Sequence, residues 1–216
     1  MIEISQNCYL AVPKSGKGSG VLVLHAWWGL NNFIKDFSQL LAFEGFVTLA
    51  PDLYHGKTAT TIDEAKQLRS KMNQKAVITD ILSAVEQLGK LPAVTSKSLG
   101  VIGFSLGGHW ALWLSLEKPE YISAVTVFYG TNTADYTQAK AAYLGHFAEL
   151  DEWVASSGVK KLEKSLRAAH RPMTFYTYEG TRHWFFEKDR KDAYNAKAAQ
   201  LAWKRTLEFL QTQLGK

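Results

Sequence analysis

The chain has 216 residues with a formal charge of +5; 46% of them are hydrophobic and 12% aromatic, and there are one cysteine and six histidines. A chain of this length buries roughly 70% of its unfolded surface as one domain, so residues 1–216 are expected to form a single one. No stretch approaches the ~20 uninterrupted apolar residues of a membrane helix, so no membrane partner is expected. The basic residues are spread along amphipathic stretches such as 160–171 and 188–204, which read as solvated helix faces and argue against nucleic acid as a partner. The histidines lack the paired spacing of a metal site, and neither a metal nor a cofactor is implied. A single cysteine, Cys8, permits no internal disulfide. The first 13 residues also lack a basic start followed by an apolar core, so the expected compartment is the cytoplasm.

In chain order, Cys8 reads as a half-buried strand residue and segment 14–20 as a hairpin connection. Apolar runs at 21–24, 46–50, 99–104, 122–128, 141–147 and 173–178 predict strands. Apolar side chains at three-four spacing predict helices at about 32–44, 62–88, 106–116, 152–169 and 192–214. Strands alternating with helices define an α/β fold, a mostly parallel sheet with helices on both faces and no large lid domain. Ligands of such sheets collect at the carboxyl ends of the strands, which directs attention to 25–29, 52–55, Ser105, Tyr129, 149–151 and His183.

The run Gly103-Phe104-Ser105-Leu106-Gly107-Gly108 follows an apolar run and opens a helical pattern. This is the context of a nucleophile elbow, in which the serine stands at a sharp strand-to-helix turn and glycines flank it where a Cβ would collide. The Leu106 N–H, at the helix start, faces the same space and is a candidate oxyanion donor. Serine needs a base, and the base needs a third group to fix its tautomer. His183, just after the final apolar run, is the candidate base. Asp151 is the favoured acid because a helix is expected to begin there and its backbone N–H groups would keep the carboxylate ionised; Glu149 and Glu152 are rivals, with Asp135 and Asp189 less well placed. The second oxyanion donor is expected from the loop after the first strand, at the Trp27 N–H. His25, His55, His109, His146 and His170 are read as structural or surface residues, His109 facing away from the nucleophile and His146 drawing some attention because it ends a strand nearby. Trp27, Trp28, Phe33, Tyr54, Trp184 and Phe185 suggest an apolar pocket, with Trp28, Tyr54 and Trp184 as substrate contacts.

Taken together, the Gly-x-Ser-x-Gly-Gly elbow, the segment 46–54 ending Ala-Pro-Asp-Leu-Tyr, the early His-Ala-Trp-Trp-Gly-Leu-Asn and the late Tyr-x-Gly-x-x-His-x-Phe resemble the dienelactone hydrolase family over nearly the whole chain. The resemblance implies a compact α/β-hydrolase with Ser105 as nucleophile, Asp151 as acid, His183 as base, and Trp27 and Leu106 as oxyanion donors. The chain departs from that family in three ways. Ser105 stands where dienelactone-cleaving members use cysteine. Ala26 stands where they carry a glutamate beside the resting thiol. Glu187, with Ile62 and Lys66, stands where arginines hold the substrate carboxylate, leaving Arg182 or Arg190 as substitutes. The expected function is a serine hydrolase cleaving a small carboxylic ester or lactone through an acyl-enzyme, working as a monomer or small homo-oligomer. The alternatives are carboxymethylenebutenolidase-type cleavage of a dienelactone, or a non-catalytic ligand-binding member of the fold.

Overall fold

The computed structural model describes residues 7–215. Among these residues, seven strands form one sheet in the order β1-β3-β2-β4-β5-β6-β7: β1 (Cys8–Ala11), β2 (Ser19–Leu24), β3 (Phe46–Pro51), β4 (Leu99–Phe104), β5 (Ile122–Phe128), β6 (Ala142–Leu150) and β7 (Met173–Arg182). All neighbours are parallel except β1, which runs antiparallel to β3. The helices α1 (Asn32–Phe43), α2 (Ile62–Ser70), α3 (Gln74–Lys90), α4 (Leu106–Glu117), α5 (Ser156–Ala168) and α6 (Ala196–Leu214) make the connections that parallel strands require. The expected architecture, a mostly parallel sheet covered by helices, is the one observed, and the described residues contain no large lid. No helix among the described residues is long and apolar enough to cross a membrane.

Every residue of β2, β3 and β4 is buried, which is why these strands are continuous apolar runs rather than alternating ones. An aromatic wedge fills one side of the core. Phe37 of α1 meets Phe104 of β4 at 5.0 Å between ring centroids, Phe104 stacks on Phe128 of β5 at 4.7 Å, and Phe186 closes on Phe128 at 4.6 Å. Phe186 lies three residues beyond His183, so its burial anchors the loop that carries this histidine.

Three expectations are corrected. Segment 14–20 is no hairpin, because β1 pairs with β3 and β2 lies on the far side of β3; residues 19–20 already belong to β2. The expected helix 62–88 is two helices, because Asn73 turns out of helical geometry and its side chain accepts from the N–H groups of Lys75 and Ala76, starting α3 afresh. The helix expected from Glu152 starts only at Ser156, since Asp151 draws the intervening backbone into its own turn. Replacing the cap, Asn73→Ala, is expected to lower stability by about 1 kcal/mol in urea unfolding; an unchanged midpoint would mean that the break between α2 and α3 does not depend on this cap.

Candidate active site

The turn between β4 and α4 holds Ser105 at φ 50°, ψ −107°, a left-handed backbone that an L-residue adopts only under constraint. The constraint is a close approach of α4 to the sheet. A Cβ on Gly107 would run into the backbone oxygen of Leu24, and one on Gly103 into that of Gly107. The Ser105 N–H donates to the Phe128 carbonyl at 2.9 Å, tying the turn to β5. Tyr129 (φ 42°) and Trp184 (φ 66°) share the same rare geometry, so three of the five such non-glycine residues among those described stand at this one place.

The three polar side chains expected to meet do so. His183 Nε2 lies 2.9 Å from Ser105 Oγ, and His183 Nδ1 lies 2.8 Å from Asp151 Oδ2. Asp151 Oδ1 accepts the N–H groups of Trp153 at 2.8 Å and Val154 at 2.7 Å. With one carboxylate oxygen engaged by backbone donors and the other by the ring, Nδ1 carries the proton, and Nε2 is left as an acceptor for the Ser105 hydroxyl. His183 and Asp151 are almost fully buried. The rival carboxylates are occupied elsewhere: Glu149 accepts the Gly180 N–H, Glu152 faces Arg182 at 3.9 Å, Asp135 accepts the Thr137 N–H, and Asp189 pairs with Arg190 at 3.7 Å.

Leu106 opens α4, so its N–H has no carbonyl one turn back to bond. The Trp27 N–H donates to no acceptor among the described residues. The preceding loop is braced by His25. Its Nε2 accepts from the Leu53 N–H at 3.1 Å, which puts the proton on Nδ1 for the Ala26 carbonyl at 2.6 Å. Burial holds this imidazole below its ordinary pKa, against the opposing pull of the Ala26 carbonyl and of Asp52.

Ser105 opens onto a cavity of about 420 Å³ lined by Trp27, Leu106, His109, Thr131, Trp153, His183 and Trp184, among others. Trp184 is on its wall as expected. Trp28 and Tyr54 are not, because both are packed inward: Trp28 lies beneath the Arg190 guanidinium at 4.1 Å, and Tyr54 lies against the His25 ring at 5.2 Å. His109, expected to face away, lines the cavity instead, and burial lowers its pKa. The two arginines considered for a substrate anion are committed elsewhere. Arg182 faces Glu152, and Arg190 stacks on Trp28 and donates to the Thr60 carbonyl at 3.2 Å. The guanidinium that does line the cavity belongs to Arg69, in the last turn of α2, and it has no carboxylate partner among the described residues. Reading 62–88 as one helix concealed it, since only the end of a short α2 brings Arg69 to the strand ends.

Glu187 points inward, away from the cavity. Its Oε1 accepts the Tyr129 hydroxyl at 2.8 Å, the Tyr129 ring packs on His183 with centroids 4.8 Å apart, and its Oε2 has no partner. Burial pushes this carboxyl from 4.5 up to about 8, more than the Tyr129 bond pulls it down.

This fold, with a serine at the elbow and the open end of a parallel sheet, defines an α/β-hydrolase. The dienelactone hydrolase family pattern matches residues 7–214, and the chain belongs to that family. It is 32% identical over 228 residues to an Aquifex aeolicus protein provisionally named carboxymethylenebutenolidase, covering 99% of this chain and 98% of the relative. It is 30% identical over 227 residues to a Bradyrhizobium protein named "Probable 2-oxo-3-(5-oxofuran-2-ylidene)propanoate lactonase", covering 97% and 90%. A Klebsiella pneumoniae structure, provisionally titled a dienelactone hydrolase, superposes with a TM-score of 0.82 at 23% identity, covering 94% of this chain and 91% of that one.

Two of the buried groups show how stability responds to pH. His146, considered from its place at the end of a strand, sits inside β6 and away from Ser105. Tyr178 OH accepts from Arg205 at 3.2 Å and can donate to His146 Nδ1 at 2.8 Å, which leaves Nε2–H to donate to Thr206 Oγ1 at 3.0 Å. Burial, helped by the Arg205 charge, pushes this imidazole down to about 3. A base with a depressed folded pKa contributes stability that is complete above its unfolded value and lost as pH falls from about 6.5 toward 3. Glu187 works at the other end of the range. The folded chain keeps a proton that the unfolded chain releases above its ordinary value of 4.5, so stability falls as pH rises from there to about 8. Urea unfolding at pH 5 and pH 8 is expected to show a smaller loss for Glu187→Gln than for the parent; equal losses would contradict a protonated Glu187.

Proposed function

We propose that this hydrolase cleaves a small carboxylic ester or lactone through a covalent acyl-enzyme on Ser105. The observation that carries the reading is the continuous relay from Asp151 Oδ2 through the His183 ring to Ser105 Oγ, both links within hydrogen-bond distance. Ser105 Oγ attacks the carbonyl carbon while His183 Nε2 takes the hydroxyl proton. The carbonyl oxygen, now negative, is held by the Trp27 and Leu106 N–H groups, each worth roughly 3 kcal/mol by comparison with other acyl-transfer sites. Collapse of this adduct breaks the C–O bond, and His183 returns the proton to the leaving alcohol, which in a lactone stays tethered to the acyl group. A water molecule then gives its proton to Nε2 and attacks the acyl carbon, and the acid departs as Ser105 recovers its hydrogen.

Ala26 agrees with this scheme. A thiol must be switched into thiolate and needs a charge partner, whereas a hydroxyl deprotonated as it attacks needs only the base. Ser105→Ala is expected to lower hydrolysis of 4-nitrophenyl acetate at least about a thousandfold with an unchanged circular dichroism spectrum. A fluorophosphonate is expected to label the parent at Ser105. Retained turnover in the variant, or labelling elsewhere, would overturn the reading.

Arg69 favours substrates bearing an anionic group beside the scissile bond, because an unpaired guanidinium faces the cavity. Arg69→Gln is therefore expected to raise KM about tenfold or more for a carboxylate-bearing lactone and to leave a neutral ester of similar size nearly unchanged. Equal effects on both would remove the anion from the substrate description.

A further inference from the structure

Trp153 is the exposed member of a tryptophan group at the mouth of the Ser105 cavity. Its ring is edge-on to Trp27 with centroids 4.9 Å apart and tilted against Trp184 at 5.5 Å, and all three line the cavity. Trp27 and Trp184 are buried, but Trp153 is 41% exposed. A large indole thus stands half in water on the wall of a site, with two buried indoles behind it to prevent its withdrawal. An aromatic surface left open in this way is stabilised when a flat apolar group covers it.

The position of this ring is also tied to the reacting atoms. The Trp153 backbone N–H donates to Asp151 Oδ1 at 2.8 Å, and the other oxygen of the same carboxylate holds His183. One side chain therefore holds both the base and the backbone that carries the aromatic wall, while packing on Trp27 and Trp184 places the indole itself. Arg69, His109 and Thr131 supply the polar lining of the cavity.

We propose that Trp153 is a specificity-determining residue that selects esters carrying an aromatic ring over esters carrying a saturated ring of the same size. This rests on the reading of Ser105 as the reacting group only for where the ester sits. A planar ring can meet indoles edge-to-face or offset-stacked, whereas a puckered ring gains area alone, so a preference of up to about tenfold is expected from the aromatic contact.

The test compares two matched pairs, methyl benzoate with methyl cyclohexanecarboxylate and phenyl acetate with cyclohexyl acetate, so that a ring on either side of the ester is examined. Binding is measured by calorimetry to Ser105→Ala protein with and without Trp153→Leu or Trp153→Phe, and kcat/KM is measured in the same Trp153 variants carrying Ser105. Trp153→Leu is expected to lower the aromatic-to-saturated ratio by up to about tenfold in at least one pair, with the saturated ester little affected. Trp153→Phe is expected to restore most of the ratio. No preference in binding to the Ser105→Ala protein, an unchanged ratio in Trp153→Leu, or an equal loss for both members of each pair would overturn the proposal. Because the binding arm needs no turnover, absence of hydrolysis would count against the role of Ser105 while leaving the role of Trp153 decided by the calorimetry.

Discussion

The close approach of α4 to the sheet is the constraint on which the site depends. Three glycines make it possible: Gly107 lets the first turn of α4 lie on the backbone of Leu24, Gly103 removes a collision inside the elbow, and Gly130 lies against Gly108. With the helix start held there, Ser105 has no room for an ordinary backbone and takes the left-handed one, which turns its hydroxyl out at the strand ends. The same approach places the unbonded N–H of Leu106 beside it and the loop carrying Trp27 alongside. A side chain larger than hydrogen at position 103 or 107 would push the helix outward and move Ser105 and the Leu106 N–H together.

The partners of Ser105 are held by burial rather than by the elbow. Phe185 and Phe186 are both inside the core, and Phe186 joins the wedge of Phe33, Phe37, Phe104 and Phe128, so the loop bearing His183 is pinned just past the histidine. Tyr129 closes the back of the imidazole, and the inward-turned Glu187 holds Tyr129 in place. The departures from the dienelactone-cleaving pattern agree with one another. The acid at position 187 braces the ring behind the site, the first loop carries Ala26 in place of a carboxylate, and Arg69, with no carboxylate partner among the described residues, lines the cavity.

Much of this was legible before any coordinates. Each apolar run marked a strand because the inner strands of a parallel sheet are buried on both faces and tolerate no polar alternation. The elbow, Asp151 and His183 were readable from chain order, since each lies just beyond a strand. The edge strand β1 was harder, because three of its four residues are only partly buried and it makes a weak pattern. Arg69 and Trp153 were missed for a shared reason. Each sits by a short turn with a capping side chain, Asn73 starting α3 afresh beyond α2 and Asp151 delaying α5, and periodicity of apolar residues is blind to such turns. Trp28 and Tyr54 were misplaced because proximity to a strand end does not say which way an aromatic ring packs.

The central claim is that Ser105 carries the acyl group between alcohol and water. Rapid-quench mass spectrometry with 4-nitrophenyl acetate tests it most directly. The account predicts a burst of one nitrophenolate per chain, with a single acetyl group on the peptide containing Ser105. Steady release of nitrophenolate without a burst, and with that peptide unmodified at every time point, would contradict it.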